Sequence, residues 1–267
     1  MDSETGRVEQ RPVSTSNDID DFANRIKRIA QEHRPSRMPF FRNLAVLPYD
    51  VVSDPGLLGS IHLIYQSAMH ATRAAVYFLP YLDSPALRKR KLQIFIDDDG
   101  LANGDTHHYQ LTRAFRNIGA RCVLDDEEFG TPDELTRRLD AETADFVRLV
   151  PKLYARSLGP WCVVEVLSID WMRALADALA IHFQGFASEP YFVDCFSQMV
   201  EERHAQEALA ITQTVLRRRP ELMAATLSDA RSIAIALDSV WTQLDRIVAD
   251  ARAGHSNAAD RLPSGIS

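Results

Sequence analysis

Apolar residues recur along this chain at intervals of three and four, the spacing that aligns one face of an α-helix. They almost nowhere alternate with polar residues over strand length. The first such segment, residues 18–32, carries Ile19, Phe22, Ile26 and Ile29 on one stripe, with Asp18 placed to cap it. After a proline-broken stretch a short segment covers 44–52. Asp54-Pro55 then opens a helix reaching about Leu82, apolar nearly all round as a central element would be. Ser84-Pro85 begins the next helix, which ends in the run Asp97-Asp98-Asp99-Gly100. A helix over 106–118 stops at Gly119, and one or two more fill 132–154. Residues 160–182 form the most hydrophobic helix, 190–219 a long polar-striped one stopped by Pro220, and 221–253 the last. The pattern predicts an all-α chain: one bundle of seven or eight helices over 18–254, between a disordered N-terminal tail (1–17) and a flexible C-terminal tail (255–267).

Composition narrows the function. The chain has 267 residues, 46% hydrophobic and 25% charged, enough for a sizeable core. A formal charge of −7 argues against a nucleic-acid partner, which calls for a basic footprint. No run reaches the ~18–20 apolar residues of a membrane span. Cys122, Cys162 and Cys195 form no CxxC pair, and the N-terminus carries no secretory pattern, so a reduced, cytoplasmic setting is expected.

Three groups of residues stand out as chemistry. Glu165 lies on an apolar stripe with Trp161, Cys162, Ser168 and Ile169, whereas Asp170, Arg173 and Asp177 cluster on another face. A buried carboxylate is costly unless it is paired, protonated or bound to a cation. Along 190–219, taken as one helix, Asp194, Ser197, Glu201 and His204 share a narrow arc that continues through Ala208, Ile211 and Val215. Glu and His at i and i+3 can meet one metal. Upstream, however, the opposite side holds Phe192, Cys195, Phe196 and Met199, so the inward face is ambiguous there. Finally, three acids closing a helix oppose its dipole, and His107 and His108 follow. A cation would compensate them; a solvated acidic loop is the plain alternative. Carboxylates and imidazoles from three helices make a mixed oxygen and nitrogen set, suited to iron or manganese rather than zinc.

The segment Met38–Leu44, a long central helix, an acid-glycine turn and a following histidine together resemble the start of the heme-oxygenase-like superfamily. Within it the chain looks most like the heme-oxygenase-like diiron oxidases and oxygenases, over about residues 38–215. The resemblance implies Asp99 (or Asp98) and His108 (or His107) at one metal, Glu165 as the bridge, and Glu201 and His204 at the other. It departs at Ser197, where a histidine is expected; Asp194, a turn earlier, is the substitute ligand. It further implies two Fe(II) ions, or manganese, and activation of O2 toward a small amino-acid-like or fatty-acid-like substrate. Glu165 and His204 would be the catalytic centre, and Tyr65, His62 and His70 pocket walls or core. A homodimer is compatible with this reading. Two alternatives stay open: hydrolysis of the TenA kind through Cys162 and Glu201, and a metal-poor binding protein, for which Ser197 argues.

Overall fold

Local chemistry starts most of the helices in the computed structural model, which describes residues 16–98, 105–122, 124 and 136–259. Two helices, α1 (Ser16–Asp20) and α2 (Phe22–Glu32), replace the single first helix expected, and short α3 (Pro39–Ala45) and α4 (Tyr49–Val52) follow. The Asp54 carboxylate accepts a hydrogen bond from the Leu57 amide (2.7 Å), with Pro55 in the first turn, and opens α5 (Pro55–Ala75). α6 (Pro85–Asp98) comes next. Thr106 caps the Tyr109 amide at the head of α7 (His107–Asn117), and Gly119, at φ 91°, ends it. Asp140 caps α8 (Ala141–Tyr154) in the same way. α9 (Gly159–Ala180), α10 (Pro190–Phe196), α11 (Val200–Arg218) and α12 (Met223–Ala259) complete the chain.

The protein is an all-α bundle; no strand occurs among the described residues. It is more finely divided than the seven or eight helices expected, because the 190–219 segment breaks at Ser197–Met199 and Met199 adopts a left-handed conformation, φ 55°. Both tail boundaries shift too: residues 16 and 17 belong to α1, and α12 runs on to Ala259. The remainder of both tails lies outside the described residues.

One contiguous apolar core joins Phe22 and Ile26 of α2 to Val248 of α12. α9 packs most extensively on α12 and next on α11, while α5 packs on α8 and α7. Close backbone approach sets the first crossing. A Cβ at Gly159 would lie 1.8 Å from the Thr226 carbonyl oxygen, so no larger residue fits without moving a helix. Trp241 of α12 fills the centre, its ring 5.3 Å from Phe41, 6.0 Å from Trp171 and 6.1 Å from Tyr65. Beyond Trp171 the core opens into a mainly apolar cavity with carboxylates in its wall, between α5, α6, α7, α8, α9, α10 and α11. No helix among the described residues is long and apolar enough to cross a membrane.

Candidate metal centre

Glu165 of α9 and Glu201 and His204 of α11 bring one ligand atom each to within 4.8 Å of one another. Glu201 and His204 are buried, and Glu165 is partly so. Each is held from behind. The Trp161 indole N–H donates to Glu165 Oε1 (2.7 Å), and the Ser168 hydroxyl donates to Glu201 Oε2 (2.9 Å). His204 Nε2 meets Asp97 Oδ2 of α6 at 3.1 Å. With Nε2–H donating to Asp97, Nδ1 carries the lone pair, and the carboxylate fixes the ring's orientation, as outer partners of metal-binding histidines do. Asp97 arrives by a stripe: Arg90 and Asp97 on α6 pair with Glu207 and His204 on α11, running antiparallel.

Glu201 belongs to a second group as well. His107 in the first turn of α7 and Cys195 near the end of α10 place a ring nitrogen and a sulfur within 4.8 Å of each other and of a Glu201 oxygen. All three are buried. Cys195 Sγ lies 3.9 Å from His107 Nδ1, and the His107 ring stands edge-on to Tyr191 at 5.7 Å.

The cavity, about 60 Å³, has room for several waters or ions. Its walls are mainly apolar, with Met69, Val76, Phe95, Val164, Trp171 and Met172, and Arg73 stands among them. Burial raises the Tyr154 and Tyr191 phenols well above their usual range, with the nearby Glu165 adding for Tyr154 and Tyr65 for Tyr191. Tyr65 is raised likewise, by burial and by the proximity of Cys195 and Glu201. These phenols stay protonated, so they can donate hydrogen bonds into or beside the site.

Several expected residues lie elsewhere. Asp99 and the side chain of Asp98 fall outside the described residues; Asp97, from the same run, reaches His204. His108, the expected ligand, turns instead to the Gln66 side chain and the edge of His70, and its rival His107 points inward. Asp194 accepts from the Gln110 amide (2.7 Å), and Ser197 is exposed. Both lose the arc shared with Glu201 because the helix is not continuous: the Met199 turn redirects the chain between them. The central helix contributes cavity walls from Met69 to Val76 rather than from His62, Tyr65 or His70. His62 is buried against Thr112 (3.1 Å), and burial lowers its pKa to about 4. His70 is lowered to about 4 by burial and then by Arg73.

Sequence reasoning missed Asp97 and Cys195 and named His107 as the rival of His108. Asp97 and His107 each had a signal. His107 stands three and four residues before Gln110 and Leu111 on the inward stripe of α7, and Asp97 stands three after buried Ile94. Cys195 had none, because its position depends on the break.

Comparison with known proteins adds little. No family model matches the chain. It is 36% identical over 104 residues to the methionine import ATP-binding protein MetN 2 of Rhodococcus jostii (strain RHA1), a match covering 38% of this chain and 29% of that protein. The chain therefore spans under a third of that relative, and it contains no Gly-x4-Gly-Lys-Ser/Thr phosphate-binding loop.

Proposed function

We propose that this protein is a non-haem, iron-dependent oxidoreductase that uses O2 to oxidise a small carboxylate-bearing substrate, with manganese as the alternative metal. The carrying observation is the convergence of Glu165, Glu201 and His204 on one point, with Glu165 and Glu201 at the wall of the cavity and His204 beside them. Two carboxylates facing each other out of bulk water need a cation or a shared proton, and an oxygen-rich set with one imidazole suits iron or manganese. Such a metal, when bound, would supply the redox chemistry and an open position for oxygen.

The chain's own residues do the rest. Asp97, accepting from Nε2–H, selects the His204 tautomer whose Nδ1 carries the lone pair and orients the ring, and Trp161 and Ser168 hold the two carboxylates. Val164, Trp171, Met172 and Phe95 exclude water from the reacting space. Arg73, a cation among apolar walls, suits the carboxylate of an amino-acid-like or fatty-acid-like substrate. On the outside, Asp97 and His204 also border a groove with Lys89, Arg90 and Arg203, a route from solvent.

The hydrolase alternative is weakened by Cys162. Its thiol is fully buried, lies 2.9 Å from the Thr212 hydroxyl, does not line the cavity, and is pushed up to about 12 by burial. A nucleophilic cysteine needs the opposite environment. Cys162 is packing.

Oxygen uptake tests the proposal. Protein loaded anaerobically with Fe(II) and then mixed with air-saturated buffer and a panel of amino and fatty acids should consume O2 with at least one class. His204→Ala should consume none while keeping its helical circular dichroism. A protein that holds iron yet consumes no O2 with any of them contradicts the proposal.

A further inference from the structure

We infer that Glu201 is shared by two neighbouring cation positions, and that the second, formed with His107 and Cys195, is a thiolate-containing site. It rests on the metal reading of Glu201 but not on oxygen chemistry.

The argument starts from the donor atoms. An imidazole nitrogen, a cysteine sulfur and a carboxylate oxygen lie mutually within 4.8 Å, from three different helices, all buried. Bound to one tetrahedral ion at ~2.1 Å for nitrogen and ~2.3 Å for sulfur, a histidine nitrogen and a cysteine sulfur stand roughly 3.6 Å apart. The 3.9 Å between Cys195 Sγ and His107 Nδ1 is within a few tenths of that. Closing it needs a small side-chain movement, not a change of fold.

Backbone geometry points the same way. Six residues along an unbroken helix turn through about 600°, which would leave Cys195 and Glu201 roughly 120° apart around the axis and about 9 Å apart along it. The turn at Ser197–Met199, with Met199 in the left-handed region, brings them to one point instead. A non-glycine residue in that conformation is strained. Glu201 also occupies the first turn of α11, where the helix dipole favours negative charge.

The mixed sulfur, nitrogen and oxygen set selects a borderline-soft divalent ion of the zinc, cobalt or ferrous kind over calcium or magnesium. Binding displaces the Cys195 proton to solvent, since thiolate is the ligand. Cys162, equally buried, has the Thr212 hydroxyl and the Ala208 carbonyl beside its sulfur and belongs to no such group among the described residues.

Cobalt reads this out without any activity. Metal-stripped full-length protein is titrated anaerobically with Co(II) while the near-ultraviolet and visible spectra are recorded. The expected result is two Co(II) per chain and a thiolate-to-cobalt charge-transfer band. Cys195→Ser should abolish the band and leave one Co(II). Glu165→Gln should keep the band and lose the other ion. Circular dichroism on each variant reports folding, and the wild-type spectrum alone decides if a variant fails to fold. One Co(II) per chain with no charge-transfer band overturns this inference and leaves the proposed function standing. A band that persists in folded Cys195→Ser also overturns it. No Co(II) bound at all overturns both.

Discussion

Trp171 divides two regions of opposite chemistry. On one side Phe41, Tyr65 and Trp241 close the core by ring packing; on the other, Glu165 and Glu201 line a cavity with His204 beside them. The aromatic side is held by dispersion and water exclusion, which need only shape, and the Trp171 and Trp241 indole N–H groups there have no hydrogen-bond partner among the described residues. The acidic side needs more than shape, because carboxylates taken from water need compensating hydrogen bonds or charge, to which Trp161 and Ser168 contribute. The same helices, α5 and α9, build both. Stability is concentrated in the first region, and the second retains charges that a stability-optimised core would replace.

That contrast can be broken most severely from the aromatic side. Trp241→Ala should lower unfolding free energy by about 3–5 kcal/mol in urea titration, without changing how many metal ions each folded chain retains. A comparable loss of metal would mean the two regions are not separable.

Histidine burial behind the site gives the next largest effect. His62 is held neutral, with its pKa lowered to about 4 by burial first and by Arg116 second. The unfolded chain takes up that proton near pH 6.5, the folded chain only near 4. Stability is therefore lost as pH falls from about 6.5 and levels off below about 4, by on the order of 3 kcal/mol at most. His62→Gln should flatten the fall in urea midpoint between pH 7 and 4.5; an unchanged slope would place the proton uptake elsewhere.

Smaller effects sharpen the comparison. In metal-free protein Glu201→Gln should leave stability equal or raise it by about 1 kcal/mol, as replacing a buried charge by a neutral group of the same shape often does. A loss of several kcal/mol would instead make Glu201 a structural partner of its neighbours. Met199→Gly should relieve the left-handed turn and stabilise by up to about 1 kcal/mol, since Met199 is 65% exposed and little packing is lost.

The helical frame was far more legible in the sequence than the site. Pro55 after Asp54, Thr106 before α7 and Gly119 after it carry their backbone preferences locally, so helix ends could be read residue by residue. Glu165 was legible because a charge on an apolar stripe has few explanations. The break at Ser197–Met199 was not: Ser, Gln and Met carry no breaker signal, and only tertiary packing imposes a positive φ on Met199. That one turn moved Asp194 and Ser197 out of the expected ligand arc and brought Cys195 in. The choice of His107 over His108 turned on which side of α7 faces α10, and the reach of Asp97 to His204 on the packing of α6 against α11, both tertiary facts.

The most direct measurement is metal content after anaerobic equilibrium dialysis of the full-length protein against Fe(II), at pH 7.5, for wild type and Glu201→Gln. The wild type should retain at least one iron per chain, and the folded variant should retain essentially none. Equal retention by the two, or none by the wild type against either Fe(II) or Mn(II), would contradict the assignment of the cavity as a metal centre.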